Sequence, residues 1–301
     1  MLQTATARVE HQDRPVSMAE PAIETPVRSG PLFALALGTF AIGTEGFMIA
    51  AILPAISGDL SVSIGAAGLL VTVFSLVYAL SSPLLTALTA RVERRTLLMA
   101  SLGAFILTNL VAAIVPGYAT LIVARVLIAM AAGLFVPNAN ALAGAIVHPS
   151  RRGRALAIVN GGIIVAVAVS VPLGALVGAH LGWRATFVGV AALSSIALAI
   201  LALKLPRDLA VSAPSRLRER LAIIGERRSL TVLLTTTIWA IGAYTVYTYI
   251  SPFLFFSAGS SPAAAGLVLT LLGTAAIGGV TLGGLANDHF GARKAQAAPC
   301  R

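Results

Sequence analysis

One carboxylate stands deep inside a long apolar stretch: Glu45, in Gly43-Thr44-Glu45-Gly46-Phe47. An ionised side chain at mid-bilayer costs about 2.5–3.5 kcal/mol on insertion scales, so it must face a partner or a wet cavity. A carboxyl removed from water also holds its proton more readily, which suits a group that loads and releases protons. The plainer reading is a neutral Glu45 hydrogen-bonded to a neighbouring helix. Arg125, in Ala124-Arg125-Val126, is the second buried charge. It either joins the same chemistry or snorkels outward. Counting along two helices that enter from opposite faces puts the two residues about 9 Å apart along the membrane normal. A direct ion pair then requires tilted helices, and a shared aqueous cavity is the expectation.

Other polar and aromatic positions surround this pair. Pro137 bends the helix that carries Arg125. Asn138 and Asn140 follow it and point about 200° apart. One is expected to bind substrate and the other to bridge helices, which is worth about 0.6 kcal/mol on average. Tyr244 and Tyr247 share a face and could stack on a flat substrate; the plainer reading of the neighbouring aromatics is an interfacial belt. Gly174 and Gly178 form a small-residue face for close helix contact, with Pro172 adding a bend. No histidine lies deep in a span, and no phosphate-binding loop, zinc cluster or hydrolase elbow is present. No cofactor, no metal and no enzyme activity are therefore expected.

These residues need elements that sit in lipid. Hydrophobic residues make up 57% of the 301 and charged residues 11%, less than half the usual charged share of about 25%. Soluble globular and disordered chains are both excluded. A bilayer core takes roughly 20 apolar residues in a helix, and eight stretches qualify: Pro31–Ile56, Ile64–Thr89, Leu97–Val115, Ala119–Val147, Ala155–Ala179, Ala185–Leu205, Leu230–Phe256 and Ala263–Ala286. Period-2 alternation is absent, so a β-barrel is not indicated. The first stretch reads as a retained helix rather than a signal peptide. Of 21 Lys and Arg, 19 fall in the leader, in alternate connections and in the tail. That bias places both termini in the cytoplasm of a multi-pass plasma (bacterial inner) membrane protein. The net charge of +10 then meets anionic lipid, and no nucleic-acid partner is needed.

An internal repeat organises the stretches. Thr86 to Arg95 and Gly284 to Lys294 both end an apolar helix in a basic turn, at matching offsets from the helix pairs that begin near Pro31 and Leu230. The expected division is a leader (1–30), a six-helix half (31–205), a basic linker (206–229), two helices of a second half (230–287) and a tail (288–301). Parallel six-helix halves are a known transporter plan, with the substrate site between them.

Gly284-Leu-Ala-Asn-Asp288-His289-Phe-Gly291-Ala292-Arg293-Lys294 resembles the loop motif of the major facilitator superfamily. Arg125, Gly133 and Pro137 resemble its fourth-helix motif. Val171-Pro172-Leu173-Gly174, followed by Gly182-Trp183-Arg184-Ala185-Thr186-Phe187, resembles its antiporter signature. Gly43 to Phe47 with Leu53-Pro54 is similar to sugar-efflux and chloramphenicol-resistance drug:proton antiporters. The first loop departs from the motif at Thr86, Ala90 and Glu93, and the fifth-helix motif at Val171.

The resemblance implies an all-α polytopic fold, a six-helix N-terminal half plus the first two helices of a second. It implies proton-coupled efflux of small organic molecules, drug or sugar type, by alternating access. Glu45 would exchange protons and Arg125 would tune it. Thr44, Phe47, Asn138, Asn140, Tyr244 and Tyr247 would line the substrate cavity. Arg91, Arg94, Asp288 and Arg293 would gate the cytoplasmic side, while Pro172 and Gly174 would let the fifth helix rock. The partners implied are the bilayer, the substrate and protons. The family has twelve helices, and eight are read here, so a C-terminal truncation is expected. The alternative is a truncated, non-transporting membrane remnant or partner-binding subunit, or an assembly in which a partner chain supplies the missing helices.

Overall fold

The computed structural model describes residues 29–205 and 227–256, with helical positions Val268, Leu271, Thr274, Ala275 and Gly278 beyond them. The helices are α1 (Ser29–Asp59), α2 (Ile64–Leu88), α3 (Arg94–Ile114), α4 (Tyr118–Ala145), α5 (Arg152–Leu181), α6 (Trp183–Lys204) and α7 (Arg227–Phe256). A short 3-10 turn, Pro149–Arg151, leads into α5. Among the described residues, all seven helices are long and apolar enough to cross a membrane. The expected eighth stretch, Ala263–Ala286, lies almost wholly outside the described residues, as do most of the leader and linker.

The helices outrun several of the apolar stretches. α1 begins at Ser29 and runs to Asp59, α3 starts at Arg94, and α5 starts at Arg152. Apolar length marks the hydrocarbon core, whereas backbone hydrogen bonding continues into the headgroup layer, where basic side chains are tolerated. Pro172 is contained within a continuous α5. The turns are tight. Ser63 caps α2 by accepting from the Ala66 N–H at 3.1 Å. Gly117 N–H donates to Thr120 Oγ1 at 3.3 Å at the start of α4. Gly182 alone separates α5 from α6, at φ +81°, a left-handed conformation that favours glycine.

α1 forms the centre, packed most extensively on α5 and then on α6, while α4 lies between α2 and α3, and α3 packs on α6. Small residues let α1 and α5 approach closely. Gly162 lies against the Ala36 carbonyl and the Phe40 nitrogen, Gly174 against Met48, and Gly178 against Ile52. Thr39 Oγ1 donates across this seam to the Val159 carbonyl at 2.5 Å. In lipid, such close packing supplies the association that the hydrophobic effect supplies in water. The outer surface is apolar: Leu80, Leu88, Ile114 and Leu203 are all largely exposed. A surface of this kind belongs in a bilayer. Among the described residues, α7 touches α1 and α2 and is exposed along most of its length.

Candidate functional site

Glu45 and Arg125 meet directly. The Arg125 Nη1–H donates to Glu45 Oε1 in an ion pair, with both side chains sealed from solvent at 1% exposure or less. This corrects the expectation of a pair separated by a shared cavity. A count of helical rise gives only the offset between backbone positions, and the long guanidinium arm together with the helix crossing closes it. Arg125 does not snorkel outward.

α2 completes the setting. Arg125 Nε donates to the Leu70 carbonyl at 3.2 Å. The guanidinium also lies over the Phe74 ring, 4.6 Å from its centroid. Leu70 and Phe74 are one turn apart, so one face of α2 serves both contacts. Two polar atoms at the pair, Glu45 Oε2 and Arg125 Nη2, are buried with no hydrogen-bond partner among the described residues. A site with spare acceptor and donor capacity beside a buried charge pair can pass a proton or take a polar group.

The flanking aromatics form a second feature. Phe47 of α1 stacks on Tyr244 of α7, with centroids 6.1 Å apart and planes inclined by 22°. Phe74 stacks on Tyr78, one turn further along α2, at 6.0 Å and 25°. Tyr244 therefore stacks on a protein ring on one side while its side chain stays about half exposed, at 48%. The Tyr247 side chain lies outside the described residues.

The two asparagines after Pro137 have different surroundings. Asn140 and Asn160 exchange reciprocal amide hydrogen bonds between α4 and α5, at 2.9 Å from Asn160 and 3.4 Å from Asn140. Asn140 is thus the helix bridge. Asn138 donates to the Leu134 carbonyl at 2.7 Å and accepts from Arg94 Nη1 at 3.5 Å. Thr44 donates to the Phe40 carbonyl at 2.8 Å within its own helix.

At the end carrying Arg94, Arg95 Nη2 donates to the Ala202 carbonyl of α6 at 2.8 Å. Arg91 is exposed in the α2–α3 connection. Asp288 and Arg293 lie outside the described residues. Gly174 is buried against Met48, and Pro172 lies half-buried two residues earlier.

Three contacts escaped sequence reasoning. Phe74 is one apolar residue among many on α2, and Asn160 gains meaning only once Asn140 is seen opposite it. The third lies at the far end of the bundle, where Asp59 binds Trp183 Nε1 at 3.0 Å and Arg184 Nη1 at 2.5 Å. Arg184 also lies 4.3 Å over the Trp183 ring. The isolated Arg184 facing the terminal Asp59 was the available signal for this contact.

Residues 35–298 match the Major Facilitator Superfamily. The chain is 37% identical over 260 residues to the MFS-type transporter YbcL of Bacillus subtilis, covering 86% of this chain and 66% of that protein. It is 34% identical to the inner membrane transport protein YdhP of Escherichia coli, with the same coverages. It is 33% identical to a chloramphenicol resistance protein of Streptomyces lividans, covering 86% and 67%. The chain thus spans about two thirds of the length of these relatives. In fold it is similar to a crystal structure of a bacterial homolog of the human lysosomal transporter Spinster in an inward-facing conformation. That likeness has a TM-score of 0.74 at 23% identity, covering 89% of this chain and 64% of the other.

Proposed function

The chain belongs to the Major Facilitator Superfamily, and from that premise we propose that it carries the proton-coupling half of an exporter of small organic molecules. The single observation that supports this most is the buried Glu45–Arg125 ion pair. Buried charges inside a membrane bundle are costly and mark transport pathways. Glu45 takes a proton and releases Arg125; loss of the proton restores the pair. The coupling runs through a charge that changes sign of need, because a neutral Glu45 leaves Arg125 seeking another acceptor. Phe47 and Tyr244 line the route taken by substrate, with Thr44 on the same helix as Phe47 and Asn138 on α4, the helix that carries Arg125. Arg91 and Arg94 gate the cytoplasmic side, a role the loop motif extends to Asp288 and Arg293, and the small-residue contact at Gly174, near Pro172, lets α5 move against α1.

In this reading residues 31–205 form one six-helix half and 230–287 belong to the second, joined by the basic linker 206–229. The charge bias supports an inner-membrane protein with cytoplasmic termini. Drug- or sugar-type molecules are the substrate class. Chloramphenicol is the first candidate, from the name of the Streptomyces relative.

The test uses the 301-residue chain in proteoliposomes with a trapped pH-sensitive dye and an imposed gradient of radiolabelled chloramphenicol. The expected result is drug movement with opposite proton movement, and uncoupling or loss in Glu45→Gln. Coupled exchange that survives Glu45→Gln would overturn the proton-carrier role. No movement of the drug in either direction would overturn chloramphenicol export by this chain on its own.

A further inference from the structure

We propose that Phe74 is a positioning residue that sets how readily Glu45 takes a proton, acting through the face of the Arg125 guanidinium. The proposal rests on the reading that Glu45 is the proton carrier. The ring stands where the two charges meet. It lies 4.6 Å beneath the guanidinium carbon of Arg125. It also lies close to the α1 backbone beside Glu45, since a Cβ added at Gly46 would come within 3.8 Å of Phe74 Cε1. Stacking on Tyr78 fixes its orientation.

The two protonation states use Phe74 differently. With Glu45 ionised, Arg125 has a full counter-charge, and the ring adds little. With Glu45 protonated, the buried cation retains the Leu70 carbonyl and the negative face of the ring. The ring therefore favours the protonated state of Glu45 by supporting the cation left behind. Among the described residues, α2 brings the neutral phenol of Tyr78, stacked on Phe74, and α7 that of Tyr244, stacked on Phe47. The described charges of α3, α5 and α6 stand at or near the helix ends, among them Arg94, Arg154, His180 and Arg184.

The test reads Glu45 directly and needs no transport. The full chain in lipid is titrated by infrared spectroscopy, and the protonated-carboxyl band that disappears in Glu45→Gln is followed against pH. Phe74 is then replaced by phenylalanines with one, two and three ring fluorines, which keep the shape and progressively remove the negative face. The expected result is a stepwise fall of the band's midpoint toward lower pH. Phe74→Leu is expected to show the full effect, about three- to tenfold weaker proton binding, and Phe74→Tyr to stay near the parent. A midpoint that does not move along the fluorine series would overturn the role of Phe74 while leaving Glu45 as the carrier. Absence of any band assignable to Glu45 at any pH would overturn both readings, since Phe74 would then have no proton to tune.

Discussion

The Arg125 guanidinium on α4 donates into the Glu45 carboxylate on α1, and α2 supports the cation from the other side through the Leu70 carbonyl and the Phe74 ring. Three helices thus meet at one charge pair. The arrangement is asymmetric: Arg125 has three partners, whereas one Glu45 oxygen has none among the described residues. Protonating Glu45 therefore removes one of three supports from Arg125.

A buried pair of this kind is fragile to the loss of one member. Arg125→Leu leaves Glu45 buried without its cation and is expected to destabilise the chain by about 3–5 kcal/mol. The double variant Glu45→Leu, Arg125→Leu replaces the pair by apolar contacts and should be more stable than Arg125→Leu alone, although inactive. Thermal unfolding in detergent measures both. A double variant no more stable than the single one would mean that the pair is hydrated in the membrane.

Asn140 and Asn160 hold α4 to α5 by two amide hydrogen bonds. Either residue changed to Ala leaves the other's amide oxygen without its donor, while the amide nitrogen keeps its own helix carbonyl. A double-mutant cycle should give a coupling of about 0.6 kcal/mol, and no more than about 1.7. Strict additivity of the two changes would show that each amide is satisfied by its own helix carbonyl, Val136 for Asn140 and Leu156 for Asn160.

The spans were legible because lipid demands an uninterrupted apolar run, and Glu45 and Arg125 were conspicuous because each breaks one. Their direct contact was not legible, since pairing depends on side-chain reach and helix crossing, and neither is written in linear spacing. The small-residue face of Gly174 and Gly178 announced close packing without naming the partner, which is the Met48–Ile52 segment of α1. Phe74 carried no signal at all. Its type is ordinary for a membrane helix, and only its position over a cation distinguishes it. Apolar length also missed the polar ends of α1, α3 and α5, where helix continues beyond the hydrocarbon.

The charge bias makes a topological prediction that the single cysteine can read. Cys300 is the only cysteine in the chain. In intact cells a membrane-impermeant maleimide is expected to leave it unlabelled until the membrane is permeabilised. Ser61, exposed in the α1–α2 turn at the opposite end of α1, offers the converse. Ser61→Cys in a Cys300→Ser background should label in intact cells. The reverse pattern would mean that the Lys and Arg clusters do not set the orientation.

Adjacent glycines in α5 should respond oppositely to the same change. A Cβ at Gly162 would press on the Ala36 carbonyl oxygen, the Thr39 hydroxyl and the Phe40 nitrogen, two of which are backbone and cannot swing aside. Gly162→Ala must therefore push α1 from α5 and break the Thr39–Val159 hydrogen bond. The expected loss is about 1–3 kcal/mol, as for an overpacked core. At Gly161 nothing lies within 4 Å of the added carbon. Gly161→Ala should be neutral or stabilising by up to about 1 kcal/mol, because alanine restricts the unfolded chain and suits a helix. Comparing the two melting temperatures in detergent decides the matter. Equal effects would mean that α1 and α5 are not held at the separation described, and that the seam beneath Glu45 is loose enough to absorb a methyl group.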